Sequence, residues 1–203
     1  MKIGLVKTTL VAMCLSLFSG CAALLSPVKI ETQKEVLNKV PMDLPSEKTR
    51  PATLLVLAPE TEPIYDTTQM AYTTRAHEIG YFSQNEWAET PSQMIQPLIV
   101  QTIRNTRHFS EVLPQPHFGR HTYVLRTQIQ KLKQDFTSDP ATLQLAIRFQ
   151  LSREATNQVI ATKELSVQEP MLEKTPYAGV VAANDATAKL LRELAKFIVE
   201  KTD

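Results

Sequence analysis

The sequence predicts an α+β domain, a mostly antiparallel sheet with two helices packed on one face. Three observations carry this expectation. Leu143, Leu145, Ile147, Phe149 and Leu151 alternate with Thr142, Gln144, Arg148, Gln150 and Ser152, the period-two pattern of a strand with one buried and one wet face. Thr90-Pro91 and Thr175-Pro176 each open a segment whose apolar residues recur at helical spacing. Short apolar runs closed by proline, Thr53–Ala58 before Pro59 and Phe109–Leu113 before Pro114, read as further buried strands.

The front of the chain is of a different kind. Lys2 and Lys7 form a basic start without acids, Leu10–Phe18 is mostly apolar, and Ser19-Gly20-Cys21 follows. This is the layout of a secretory signal, and the apolar run falls short of the ~20 residues that span a bilayer. Phe18-Ser19-Gly20-Cys21 resembles the bacterial lipobox, in which the cysteine thiol is diacylated before cleavage. Two or more acyl chains give the stable anchoring that one chain does not. Residues 1–20 are therefore expected to be a removable lipoprotein signal, with Cys21 the acylated residue and residues 21–34 a membrane tether. Residues 35–203 are expected to be one folded domain. Ala22 after the cysteine, by resemblance to lipoprotein sorting signals, implies the outer membrane on its periplasmic face.

The elements follow in order. Glu35–Val40 reads as a first short strand and Met42–Pro51 as a proline-bearing loop. Thr53–Ala58 is a buried strand. Met70–Tyr72 and Glu78–Phe82 are two more strands, leading into Gln84–Glu89. Thr90 and Gln93 match a capping box with Pro91 at the first helical position. Met94, Ile95, Leu98, Ile99 and Ile103 share one helical face, while Pro97 is expected to kink that helix or delay its regular part. Tyr123–Ile129 and Leu143–Leu151 are strands of a meander, with Glu154–Gln158 as the turn. Val159, Ala161, Leu165 and Val167 form the inward face of the returning strand, which Pro170 ends. Ala183, Thr187, Leu190, Leu191, Leu194 and Ile198 make the stripe of the last helix.

Charge and cysteine usage exclude several function classes. Of 22 Lys and Arg, two leave with the signal, so 20 stand against 21 Asp and Glu. A near-neutral surface gives no electrostatic case for nucleic acid. Cys14 leaves with the signal and Cys21 carries lipid, so the mature domain has no thiol for a disulfide, a metal or catalysis. His117 and His121 have a spacing that suits two metal ligands on a helix, but Pro116 and Gly119 argue against a helix there. No Gly-x-Ser-x-Gly elbow and no glycine-rich phosphate loop occur, so neither an enzyme nor a cofactor beyond the covalent lipid is expected. Trp87, the only tryptophan, reads as a core anchor or as an interface hot spot, and Tyr81 and Phe82 share that ambiguity.

These residues also carry a resemblance. Gln69–Tyr72, Ile79–Phe82, Trp87-Ala88-Glu89-Thr90-Pro91, the helix after it and Phe109–Val112 resemble the auxiliary lipoprotein of ABC-type transport systems, a family that includes the lipoprotein of the paraquat-inducible intermembrane transport complex. The resemblance runs from about Glu35 to the C-terminus; the Met42–Pro51 loop has no counterpart in it. It implies an outer-membrane lipoprotein working with an MCE-domain protein and an ABC transporter or permease in the movement of lipids or other hydrophobic molecules. It also implies docking and homo-oligomerisation, with no catalytic residues. A second reading is an envelope lipoprotein that activates or scaffolds a cell-wall or outer-membrane assembly machine.

Overall fold

The computed structural model describes residues 31–45 and 48–202. The chain divides into two units, Met1–Glu31 and Thr32–Asp203. The expected signal, the lipidation site at Cys21 and all but the end of the tether lie outside the described residues.

The frame of the folded unit is one long strand. β7 (Tyr123–Asp135) pairs along its length, antiparallel, with β8 (Thr142–Arg153), and β8 pairs antiparallel with β9 (Gln158–Pro170). Along its other edge β7 takes three short strands in succession, all parallel to it: β2 (Arg50–Val56), β3 (Glu60–Thr61) and β4 (Gln69–Thr73). Outside these lie β6 (Phe109–Pro114), parallel to β2, and β5 (Gly80–Trp87), antiparallel to β4. β1 (Gln33–Glu35) runs parallel to the end of β5.

The α+β class expected from the sequence is what the chain forms, but the sheet is mixed. Among the described residues, five of eight strand pairings are parallel. The antiparallel pattern holds for the meander β7–β8–β9 and for β4–β5. β2, β3 and β4 instead lie end to end against one longer strand.

Alternation explains the core. Leu143, Leu145, Ile147, Phe149 and Leu151 are all fully buried, as are Leu125 and Ile129 across the ladder. Each such side chain contributes roughly 1.5–3 kcal/mol by leaving water. Helix α1 (Pro91–Asn105) packs against β6, and helix α2 (Pro176–Thr202) against β8 and β9. Ile95, Ile99 and Ile103 from α1 and Leu190, Leu191, Leu194 and Ile198 from α2 join one continuous cluster with the inward strand residues. The capping box forms, the Thr90 N–H donating to Gln93 Oε1 at 3.0 Å. α1 runs through Pro97 without a break, and both Pro97 and Gln93, four residues before it, lie on the exposed side of the helix.

Several boundaries differ from expectation for identifiable reasons. β1 ends at Glu35, where its pairing with Trp87 ends. Beyond it the Asn184 side chain serves the backbone directly, accepting from the N–H groups of Asn38 and Lys39 (2.9 and 3.1 Å) and donating to the Val36 carbonyl (3.0 Å). With those groups satisfied, residues 36–40 need no strand partner. Arg50 and Pro51 belong to β2 and not to a loop, because the β2–β6 ladder is irregular between Arg50 and Thr53, where a residue without an N–H does no harm. Val159 points outward and is exposed, because a bulge between Leu151 and Ser152 shifts the phase of the β8–β9 ladder.

Candidate interaction surface

The residues expected to anchor the fold or meet a partner lie on β5. Trp87 is only 3% exposed and sits in the core cluster with Met70 and Leu37. Tyr81 donates its hydroxyl proton to the Ile64 carbonyl at 2.8 Å. Burial pushes the hydroxyl of nearby Tyr65 above the usual tyrosine value, and Tyr81 adds to that shift. Phe82 stacks on Tyr72 with ring centroids 4.5 Å apart, and Phe136 meets both rings edge-on at 6.3 and 6.4 Å. Tyr72 also lies across Gly80, its ladder partner, where a β-carbon would come within 2.8 Å of the tyrosine ring. Tyr72, Phe82 and Phe136 are thus engaged with one another, and Tyr81 is tied to the neighbouring loop.

The two histidines with ligand-like spacing do other work. His117 folds over Gly119, and His121 contacts the Gly119 carbonyl at 3.2 Å and Glu154 at 3.2 Å. Among the described residues no group of three or more His, Cys, Asp or Glu could hold a metal.

The larger exposed apolar feature lies elsewhere, where β9 ends and α2 begins. Leu172 is 94% exposed, Tyr177 64% and Val181 42%, and with Pro170, Ala178 and Ala182 they line an open groove of about 340 Å³. Tyr177 and Val181 stand one turn apart on α2, so both face the same side. Its rim carries two ion pairs, Glu169 with Lys189 at 2.6 Å and Asp185 with Lys39, and the exposed acid Glu173. Thr175 starts the helix beside the groove by accepting from the Ala178 N–H at 3.2 Å. Sequence reading missed this surface, since its residues belong to a polar loop and a helix start. The signal available was Leu172, an isolated large apolar residue between Pro170 and Thr175.

On the open face of the sheet the chain is polar, with Arg126, Gln128, Arg148 and Gln150 bordering a shallow depression beside Glu60. No helix among the described residues is long and apolar enough to cross a membrane. The described residues thus form a mixed sheet with two helices and open surface grooves. The chain belongs to the family of ABC-type transport auxiliary lipoprotein components, whose model matches residues 36–195. Among solved structures it is similar to protein XCC0632 from Xanthomonas campestris (TM-score 0.73, 16% identity, covering 84% of this chain and 95% of that one). A second, the crystal structure of an uncharacterized protein, gives a TM-score of 0.65 at 13% identity, covering 82% of this chain and 99% of that one. The hypothetical protein CT253 from Chlamydia trachomatis gives 0.50 at 9% identity, covering 74% and 96%. These likenesses are of fold. None of the curated proteins matches the chain.

Proposed function

We propose that this protein is a periplasmic accessory lipoprotein, held in the outer membrane by acyl chains on Cys21 and serving an MCE/ABC-type system that moves lipid or other hydrophobic substrate between membranes. It acts by docking to an MCE-domain protein and to ABC transporter or permease components, and by assembling with copies of itself; no bond-making step is assigned to it. The observation that carries this reading is the family match, which covers nearly the whole folded unit. Two others support it. Phe18–Cys21, which resembles a lipobox, precedes that unit in the sequence, and the exposed apolar groove at the start of α2 is suited to a protein contact.

The anchor is tested by metabolic labelling with a fatty-acid analogue, followed by membrane fractionation. The wild-type chain should carry label and partition with the outer membrane. Cys21→Ser should lose the label and accumulate as a larger precursor, whereas continued labelling of that variant would remove lipidation at Cys21 from the account.

A further inference from the structure

A second exposed apolar feature complements the groove. Phe118 is fully exposed at the tip of the loop between β6 and β7. That loop is held at both ends. Gln115 donates its N–H to the Val56 carbonyl at 2.9 Å, and its side-chain oxygen accepts from the Ala58 N–H at 3.0 Å. At the far end Thr122 donates to the Thr53 carbonyl at 3.0 Å, and His121 reaches Glu154. Between these ties the His117 ring covers Gly119, so the tip is built up from its own contacts. An aromatic side chain presented in water on a loop anchored in this way loses little further entropy when a partner covers it.

Position and charge both match the groove. The loop sits where β7 begins and β8 ends, since His121 meets Glu154 immediately after β8. The groove sits at the other end of the same ladder, where Pro170 of β9 lies opposite Thr142 of β8. Twelve strand residues separate the two ends, about 40 Å at ~3.3 Å per residue. Exposed Arg120 follows Phe118 closely, whereas at the groove Glu169 and Asp185 are already paired with Lys189 and Lys39 and the exposed acid is Glu173. One end offers an apolar knob beside a cation, Arg120, and the other an apolar hole beside an exposed acid, Glu173.

We infer that Phe118 of one copy of this chain seats in the Leu172–Tyr177–Val181 groove of a second copy, with Arg120 facing Glu173. The inference rests on the self-assembly proposed above and names its interface. Knob and hole are different patches at opposite ends, so the contact is head-to-tail; it closes into a ring when the rotation per copy permits. A groove of about 340 Å³ has room for a benzyl side chain among Leu172, Tyr177 and Val181.

The test uses the full-length chain in its native membrane. Phe118→Cys and Val181→Cys are made separately and produced in the same cells, which are then treated with a mild oxidant. A reducible species of twice the subunit mass should form only when both variants are present. In detergent, Phe118→Ser should weaken self-association at least ~10-fold, as loss of an aromatic anchor does, while the melting temperature of the dissociated subunit stays unchanged because the side chain is fully exposed on its own chain. Arg120→Glu should weaken it too, and Glu173→Arg in the same chain should restore it. An oligomer of unchanged mass and affinity in Phe118→Ser, without the cross-link, would overturn this interface and leave self-assembly standing. A strictly monomeric wild-type chain would overturn both. Cross-linking of Val181→Cys to a different protein, or an acyl chain recovered from the groove, would likewise overturn the inference.

Discussion

The carboxamide of Gln134 occupies the space that a side chain on Gly179 would need. A β-carbon on Gly179 would lie 2.0 Å from Gln134 Cδ. Gln134 is buried at the end of β7 and donates from Nε2 to the Pro176 carbonyl at 3.0 Å, tying the strand to the first turn of α2. The close approach is what the glycine is for. In an exposed helix Gly→Ala stabilises by about 1 kcal/mol, but here it forces Gln134 out of a packed site. Gly179→Ala should therefore lower unfolding free energy by ~1–3 kcal/mol, the range for overpacking. Chemical denaturation checks this, and the double variant with Gln134→Ala should recover much of the loss. Additive losses would show that the two residues do not interact.

Trp87 is expected to act through the core. Truncating a buried aromatic typically costs ~3–5 kcal/mol, a large part of the ~5–15 kcal/mol that holds a domain together. Trp87→Ala should lower the melting temperature by many degrees, as measured by circular dichroism. Unchanged stability accompanied by loss of partner binding would reassign the residue to an interface.

Asn184 acts as a clip between α2 and residues 36–39. Each partly exposed hydrogen bond contributes about 0.5–1.5 kcal/mol net. Asn184→Ala should leave the sheet intact while raising amide exchange at Asn38 and Lys39 several-fold. Protection that persists there would mean that packing, and not the clip, holds the segment.

Burial alone would push the Asp135 carboxyl up, but hydrogen bonds from the Thr137 hydroxyl and N–H and the charge of Lys133 outweigh it and hold it below the usual aspartate value. A carboxylate depressed in the folded state binds fewer protons there than in the unfolded chain. Its contribution is therefore fully present above the unfolded value, near pH ~4, and is lost as pH falls through the lower folded one. Unfolding midpoints measured in that acidic window should drop more steeply for wild type than for Asp135→Asn. Parallel curves would contradict the assignment.

How far the fold could be read depended on where the periodicity was clean. β8 was legible because every second residue from Leu143 to Leu151 is buried with no break. α1 was legible because Thr90, Pro91 and Gln93 mark its start in local chemistry. The alternation predicts an end to β7 at Ile129, yet the strand continues to Asp135. A bulge between Ile129 and Lys131 resets its phase, so the next inward residue is Leu132, out of step with the earlier alternation. The parallel placement of β2, β3 and β4 along β7 is a long-range choice with no local trace in their sequences. At the candidate surface, Tyr81, Phe82 and Trp87 are conspicuous as aromatics, but their contacts come from other elements: Ile64 for Tyr81, Tyr72 and Phe136 for Phe82, and the core cluster for Trp87. The Leu172–Tyr177–Val181 groove was invisible for the complementary reason: exposure leaves no periodic signature.

The central claim, that this chain is a docking subunit of an intermembrane transport system, is tested most directly by affinity purification. The full-length acylated protein is isolated from cross-linked envelopes and its partners are identified by mass spectrometry. The account predicts recovery of an MCE-domain protein together with ABC transporter or permease components, in a complex holding several copies of this chain. Recovery of a cell-wall synthase or an outer-membrane assembly machine in their place, with no MCE-domain protein, would contradict it.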